Sequence, residues 1–238
     1  MNILLIASTY PPEIRAISYM IKELVEELVL RGHEITVATS WPQTNLSSHV
    51  QQHTLKKESM ENNVRLFRIK IPFFYHSNFT IRGISHLLLP YVFWIKLKKY
   101  LNKCKIDVVI IYSPPLTLTI LGNIIKNKFH AKYLLNIQDI FPQNAIDLGI
   151  MKNLLIIKLF EWIEKQAYKN ADKITSHTES SRKFLIEKKK IPAEKITTVY
   201  NWININTSEI SGINVYRKNF GLENKFINRR HYGIKKIN

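Results

Sequence analysis

The sequence predicts an α/β fold, an open parallel sheet flanked by helices. Two observations predict it. Short apolar runs alternate with longer stretches of helical periodicity along most of the chain, which is the pattern of repeated strand–helix–strand units. The 238 residues suffice for one large α/β domain with a sizeable core, and 45 % apolar against 22 % charged residues excludes a disordered chain.

The first unit is the clearest. Ile3-Leu4-Leu5-Ile6-Ala7 reads as a buried strand, and Ile17, Met20, Ile21, Leu24 and Leu28 recur at helical spacing after a loop containing Pro11-Pro12. Arg31-Gly32 ends that helix, with Gly32 suited to the left-handed position after the last turn. Ile35-Thr36-Val37-Ala38-Thr39 is the second strand. Residues 41–60 are polar and unpatterned and read as a surface loop. Further strands are expected over 64–69, 107–111, 132–137, 173–175 and 195–199, with helices over 116–127 and 154–168. Residues 1–203 form the expected domain, and 204–238 read as a connection followed by a basic tail without periodicity.

The single cysteine, Cys104, excludes an internal disulfide and any multi-cysteine metal site. The start lacks the basic segment and long apolar run of a secretory signal, and no apolar run is long enough to span a membrane. A net charge of +17 suits polyanions, whether nucleic acid, anionic lipid or phosphorylated ligands, although compositional bias accounts for it equally well. No helix-turn-helix, zinc-finger or RNA-recognition signature accompanies the charge, so nucleic acid is not the expected partner.

Ligands of an open parallel sheet bind beyond the carboxyl ends of its strands, so the loops there carry the candidate site. The first such loop, Ser8 to Ala16, contains Glu13 and Arg15 but no G-x-G-x-x-G, which argues against a dinucleotide cofactor. Arg15, at a helix start, either holds a phosphate or is simply solvated. Ser113 precedes Pro114-Pro115 and is expected to cap the next helix, with the prolines in its first turn. Asp139 stands where the 132–137 strand emerges; it either takes a proton from an attacking hydroxyl or caps the turn. His177 and Asn201 follow later strands at the same edge, and with Glu13, Arg15 and Ser113 they are the candidate acceptor- or phosphate-binding residues, although the Ser and Thr around His177 suit helix capping and Asn201 could lie at a domain junction.

Residues 71–105 hold a different candidate. Phe93 and Trp94, followed by Lys96, Lys98 and Lys99, have the composition of a helix lying on an anionic lipid surface, with Phe73-Phe74-Tyr75 just upstream. A core helix with a solvated basic end has the same composition.

Taken in order, Tyr10-Pro11-Pro12-Glu13, Leu30-Arg31-Gly32-His33-Glu34-Ile35-Thr36-Val37, Tyr112-Ser113-Pro114-Pro115-Leu116, Asp139-Ile140-Phe141-Pro142, Ala171-Asp172-Lys173-Ile174 and Val199-Tyr200-Asn201-Trp202 resemble the amino-terminal domain of family-4 glycosyltransferases. The likeness is to the branch that builds O-antigen, capsule or colanic-acid polysaccharides, including fucosamine-transferase-like members. The resemblance implies the N-terminal, Rossmann-like lobe of a GT-B fold, facing a second lobe that binds a nucleotide-sugar donor. It implies a lipid-linked sugar as acceptor at the inner face of the cytoplasmic membrane, no catalytic metal, and a place near the reacting sugar for Asp139. Glu179 and Glu187 match the E-x7-E spacing of retaining members, but Glu26 and Glu34 match it too, so the spacing carries no weight. After Phe226 the sequence lacks the strand and glycine-rich loop that such a second lobe would begin with. The expectation is therefore that the second lobe is missing or separately encoded, and that this chain alone is inactive.

Overall fold

The structure is a computed structural model that describes residues 1–42, 45–46, 55–72, 79–202, 218–219 and 221. Residues Met1–Trp202 form one compact unit. Phe73-Phe74-Tyr75 and nearly all of the expected connection and tail lie outside the described residues.

Among the described residues eight strands make one sheet: β1 (Asn2–Ala7), β2 (Glu34–Ser40), β3 (Glu58–Glu61), β4 (Val64–Ile69), β5 (Val108–Ser113), β6 (Lys132–Ile137), β7 (Lys173–Ser176) and β8 (Ile196–Thr198). Their order is β3-β4-β2-β1-β5-β6-β7-β8. Every pairing is parallel except β3 with β4. The strand β1 lies between β2 and β5, so the chain winds outward from it in both directions and the sheet has its topological switch point there.

Two cores form because side chains along a strand alternate between the faces of the sheet. On one face Ile3 and Leu5 meet Ile21 and Val25 of α1 (Ala16–Leu30). On the other, Leu4 and Ile6 join a larger core under α2 (Phe79–Leu101), α3 (Leu118–Phe129), α5 (Leu154–Asn170) and α6 (Glu179–Glu187). A one-turn helix, α4 (Gln143–Asp147), precedes α5. Gly122 lets α3 sit directly on the sheet: a Cβ there would lie 2.7 Å from Ile111 and 2.8 Å from the Tyr133 ring.

The end of α1 follows the expected chemistry. Gly32 has φ +80°, its N–H donates to Val29 O at 2.9 Å, and His33 N–H reaches Leu28 O at 3.1 Å. These two bonds satisfy the last carbonyls of the helix.

Three expectations need correction. The stretch read as loop contains β3, an edge strand held by charge: Arg65 pairs with Glu58 at 3.0 Å and Arg68 with Glu61 at 2.8 Å. Such a strand buries no apolar face, so it leaves no alternating signal. Ser113 does not cap a helix; it ends β5, pairs with Ile137 and is buried, while Thr117 stands at the start of α3 and the two prolines precede it.

The third correction concerns α2. Its Leu89, Phe93, Leu97 and Leu101 recur every fourth residue and are almost completely buried in the larger core. Phe93 is therefore a core residue and cannot meet a membrane. Trp94 is half-buried against α3, with the Phe129 ring 6.4 Å away and Lys128 Nζ 5.6 Å from its centroid. Lys96, Lys98 and Lys99 are exposed.

Candidate functional site

The loop after β1 begins with polar groups pinned by hydrogen bonds. Thr9 is buried and donates its hydroxyl to Glu13 Oε2 at 2.7 Å. The same hydroxyl lies 2.7 Å from Ser18 Oγ at the start of α1. Glu13 is itself 1 % exposed. Its backbone is fixed on both sides: Glu13 N–H donates to Tyr10 O, and Ile14 N–H donates to Asn45 O at 2.7 Å. Glu13 also bridges Leu46 in an isolated antiparallel pair. Burying a carboxylate is costly unless it is hydrogen-bonded, so this network is what makes the position tolerable. Arg15, two residues on, is exposed in extended backbone at the N-cap of α1.

Glu13 and Arg15 open onto a cleft of about 780 Å³. Its floor is the switch point: Ser8, Thr9, Glu13 and Arg15 come from the loop after β1, and Pro114, Pro115, Leu116 and Thr117 from the loop after β5. One wall is α2, through Gly83, His86 and Leu87. The other is the α4–α5 region, through Phe141, Ile150, Met151, Ile156, Leu159 and Phe160. Phe141 packs edge-on against Phe160 at 5.1 Å, which fixes that wall. Among the described residues the lining is mainly apolar, with Glu13, Arg15 and His86 as its titratable groups. Such a cleft takes an extended apolar ligand and offers a few polar contacts at one end. Thr117 lies against it with a buried hydroxyl that has no hydrogen-bond partner among the described residues.

The remaining candidates are placed elsewhere. Asp139 follows β6 at the carboxyl edge of the sheet, as expected, and is exposed, but it does not line the cleft. Its carbonyl accepts the Phe141 N–H at 3.1 Å, and it is Phe141 that reaches the cleft. Beside it, Asn136 donates to Thr175 Oγ1 at 2.9 Å and accepts from Gln138 Nε2 at 2.8 Å, a polar ladder across the ends of β6 and β7. His177 follows β7 with Nδ1 buried and without a partner among the described residues. Thr178, next to it, caps α6 by accepting the Ser181 N–H at 3.0 Å. Asn201 is exposed beyond β8. The fold thus gathers Glu13 and Arg15, and leaves Asp139, Ser113, His177 and Asn201 outside the cleft. Sequence reasoning missed His86, Thr117 and the α4–α5 wall. A single histidine in an apolar helix carries no local signal, and the wall arises only when α5 folds back over the loop after β5.

Among the described residues no helix is long and apolar enough to cross a membrane.

Residues 17–207 match the family model described as Glycosyltransferase Family 4. No curated protein matches the sequence. Among solved structures, the chain is similar to sucrose-phosphate synthase from Thermosynechococcus elongatus, with TM-score 0.58 and 12 % identity over 84 % of this chain and 47 % of that one. It is similar to the catalytic domain of starch synthase IV from Arabidopsis thaliana bound to ADP and acarbose, with TM-score 0.58 and 10 % identity over 87 % of this chain and 52 % of that one. It is also similar to Anabaena HepE in complex with UDP, with TM-score 0.52 and 14 % identity over 94 % of this chain and 51 % of that one. At these identities the likeness is one of fold, that of the N-terminal lobe of GT-B glycosyltransferases. The chain spans about half the length of each of these proteins.

Proposed function

The chain belongs to glycosyltransferase family 4, and from that premise we propose that it is the acceptor-side lobe of an enzyme that moves sugar from a nucleoside-diphosphate donor to a lipid-linked acceptor. The single observation that carries the acceptor reading is the cleft of about 780 Å³ at the switch point, apolar along α5 and polar at Glu13 and Arg15. A sugar with no lipid would leave those apolar walls facing water, whereas an isoprenyl chain covers them. Arg15 is the group suited to the acceptor's diphosphate, because its planar guanidinium offers paired donors.

The nucleotide donor is carried over from the similar enzymes solved with ADP or UDP, whose other half this chain does not span. In such a transferase the diphosphate leaving group needs fixed positive charge or donors, typically the largest part of catalysis. We assign that to the second lobe, and expect this chain to bind acceptor without turning over. Asp139, exposed at the carboxyl edge of β6, is the carboxylate proposed to face the reacting sugar across the two lobes. The ordered motifs of the sequence support a role in O-antigen, capsule or colanic-acid synthesis, at the inner face of the cytoplasmic membrane.

Photo-crosslinking with a benzophenone-tagged isoprenyl diphosphate sugar tests the reading. Adducts are expected on the peptide containing Leu159 and Phe160. No saturable adduct there, or adducts scattered over the surface, would sink it. A parallel assay with radiolabelled nucleotide sugars tests inactivity: robust transfer by this chain alone would refute the division of labour.

A further inference from the structure

Large apolar side chains left in solvent are not scattered over this chain. Of the 17 exposed among the described residues, seven fall between Leu148 and Trp162. Leu154 is 72 %, Leu155 79 % and Trp162 59 % exposed. They sit on a well-formed helix. Asn153 caps α5, its Oδ1 accepting the N–H of Leu155 at 3.0 Å and of Ile156 at 3.2 Å. The opposite side of α5 is pinned by Ile163 and Ala167 in the larger core.

The exposed face has two stripes. Leu155, Leu159 and Trp162 stand at i, i+4 and i+7 and so line up along the helix. Lys158, Lys165 and Lys169, all exposed, form a second row beside them. The core of a protein–protein interface is depleted in lysine, so another protein is a poor occupant. An anionic bilayer suits both rows: leucine and tryptophan enter the headgroup boundary, and lysine stems reach along it to the phosphates. The net charge of +17 complements such a surface.

The face also runs into the cleft. Ile150, Ile156 and Leu159 are exposed and at the same time line it. Apolar surface is therefore continuous from the outside of α5 to the interior of the cleft. We propose that the α4–α5 face docks on an anionic lipid bilayer, so that a lipid-linked acceptor passes from the membrane into the cleft without crossing water. This rests on the acceptor reading of the cleft, and it places docking on α5 instead of the lysines of α2.

Flotation of the purified chain with vesicles tests it, comparing equal parts phosphatidylcholine and phosphatidylglycerol with phosphatidylcholine alone. L155D/W162D is expected to lower partitioning at least ~10-fold. K158E/K165E/K169E is expected to remove the preference for anionic vesicles, roughly a hundredfold effect. Reversing Lys96, Lys98 and Lys99 should do less than either. An equal or larger loss from those three lysines, or wild-type flotation of L155D/W162D, overturns the proposal. Should L155D/W162D fail to fold, brominated acyl chains read the contact in the folded protein: they should quench emission, and W162F should remove most of that quenching. Quenching unchanged in W162F also overturns it. Binding of an isoprenyl diphosphate in detergent micelles reads the cleft separately. If that binding persists while vesicles are ignored, docking alone fails; if vesicles bind and the isoprenyl diphosphate does not, the acceptor reading fails.

Discussion

Thr9 donates its hydroxyl to the buried carboxylate of Glu13 at 2.7 Å, and this bond closes the first loop of the sheet over the cleft floor. Both groups are almost inaccessible to water, so solvent does not replace the bond when the donor is lost. Replacing Thr9 by Val keeps the shape and removes the donor. The expected loss is about 1–3 kcal/mol of unfolding free energy, the cost of leaving a buried polar group poorly satisfied. Thr9→Ser keeps the hydroxyl and should lose clearly less. Urea denaturation followed by circular dichroism measures both, and a Thr9→Val variant as stable as wild type would show that the bond contributes nothing.

Gly122 invites the opposite manipulation. Alanine at an exposed helical site is about 1 kcal/mol better than glycine. Here the new methyl would meet Ile111 at 2.7 Å and the Tyr133 ring at 2.8 Å, both in the core. Overpacking should win, and Gly122→Ala should destabilise by about 1–3 kcal/mol in thermal or urea unfolding. A stabilised variant would mean that α3 can lift off the sheet at little cost.

These contacts also show how far the sequence speaks. The strands β1, β2, β5 and β6 were legible because each is largely an apolar run, and buried strands in a parallel sheet need little else, while β4 was legible from the alternation of apolar and polar residues along it. The edge strand β3 was not, because Glu58 and Glu61 are held by Arg65 and Arg68 across the ladder, and charge pairing has no period. Half of the cleft was visible: the rule that ligands sit beyond strand ends pointed to Glu13 and Arg15. The other half was not, since His86 and Phe160 are brought together by packing of helices far apart in the chain. The burial of Phe93 was in the sequence all along, in the four-residue spacing of Leu89, Phe93, Leu97 and Leu101. The richness of the aromatic–lysine segment hid it.

That spacing yields a prediction that separates core from surface on one helix. Phe93→Ala should cost about 3–5 kcal/mol, the usual price of a large cavity in a packed interior. K96E/K98E/K99E alters only exposed side chains and should shift stability by less than about 1 kcal/mol. A small effect for Phe93→Ala in thermal unfolding would contradict its place in the larger core.

A last prediction concerns pH and the clamp at the amino edge of the sheet. Asp172 accepts Lys126 Nζ at 2.8 Å through Oδ1 and the Tyr133 N–H at 2.7 Å through Oδ2, tying the end of α3 to β6. Burial alone would raise its pKa, but Lys126 and the Tyr133 N–H outweigh it and hold the carboxyl below the usual range. A depressed carboxyl stabilises the fold above its unfolded value, ~3.9, and that contribution is lost as pH falls through the folded value. Asp172→Asn should therefore cost about 1–2 kcal/mol at neutral pH, kept modest by partial exposure of both partners. The gap between wild type and variant should narrow below about pH 4, as the wild-type carboxylate takes up its proton. Urea denaturation across that range measures it. A gap that stays constant would mean that the clamp works through shape and neutral hydrogen bonding, with the charge on Asp172 contributing nothing.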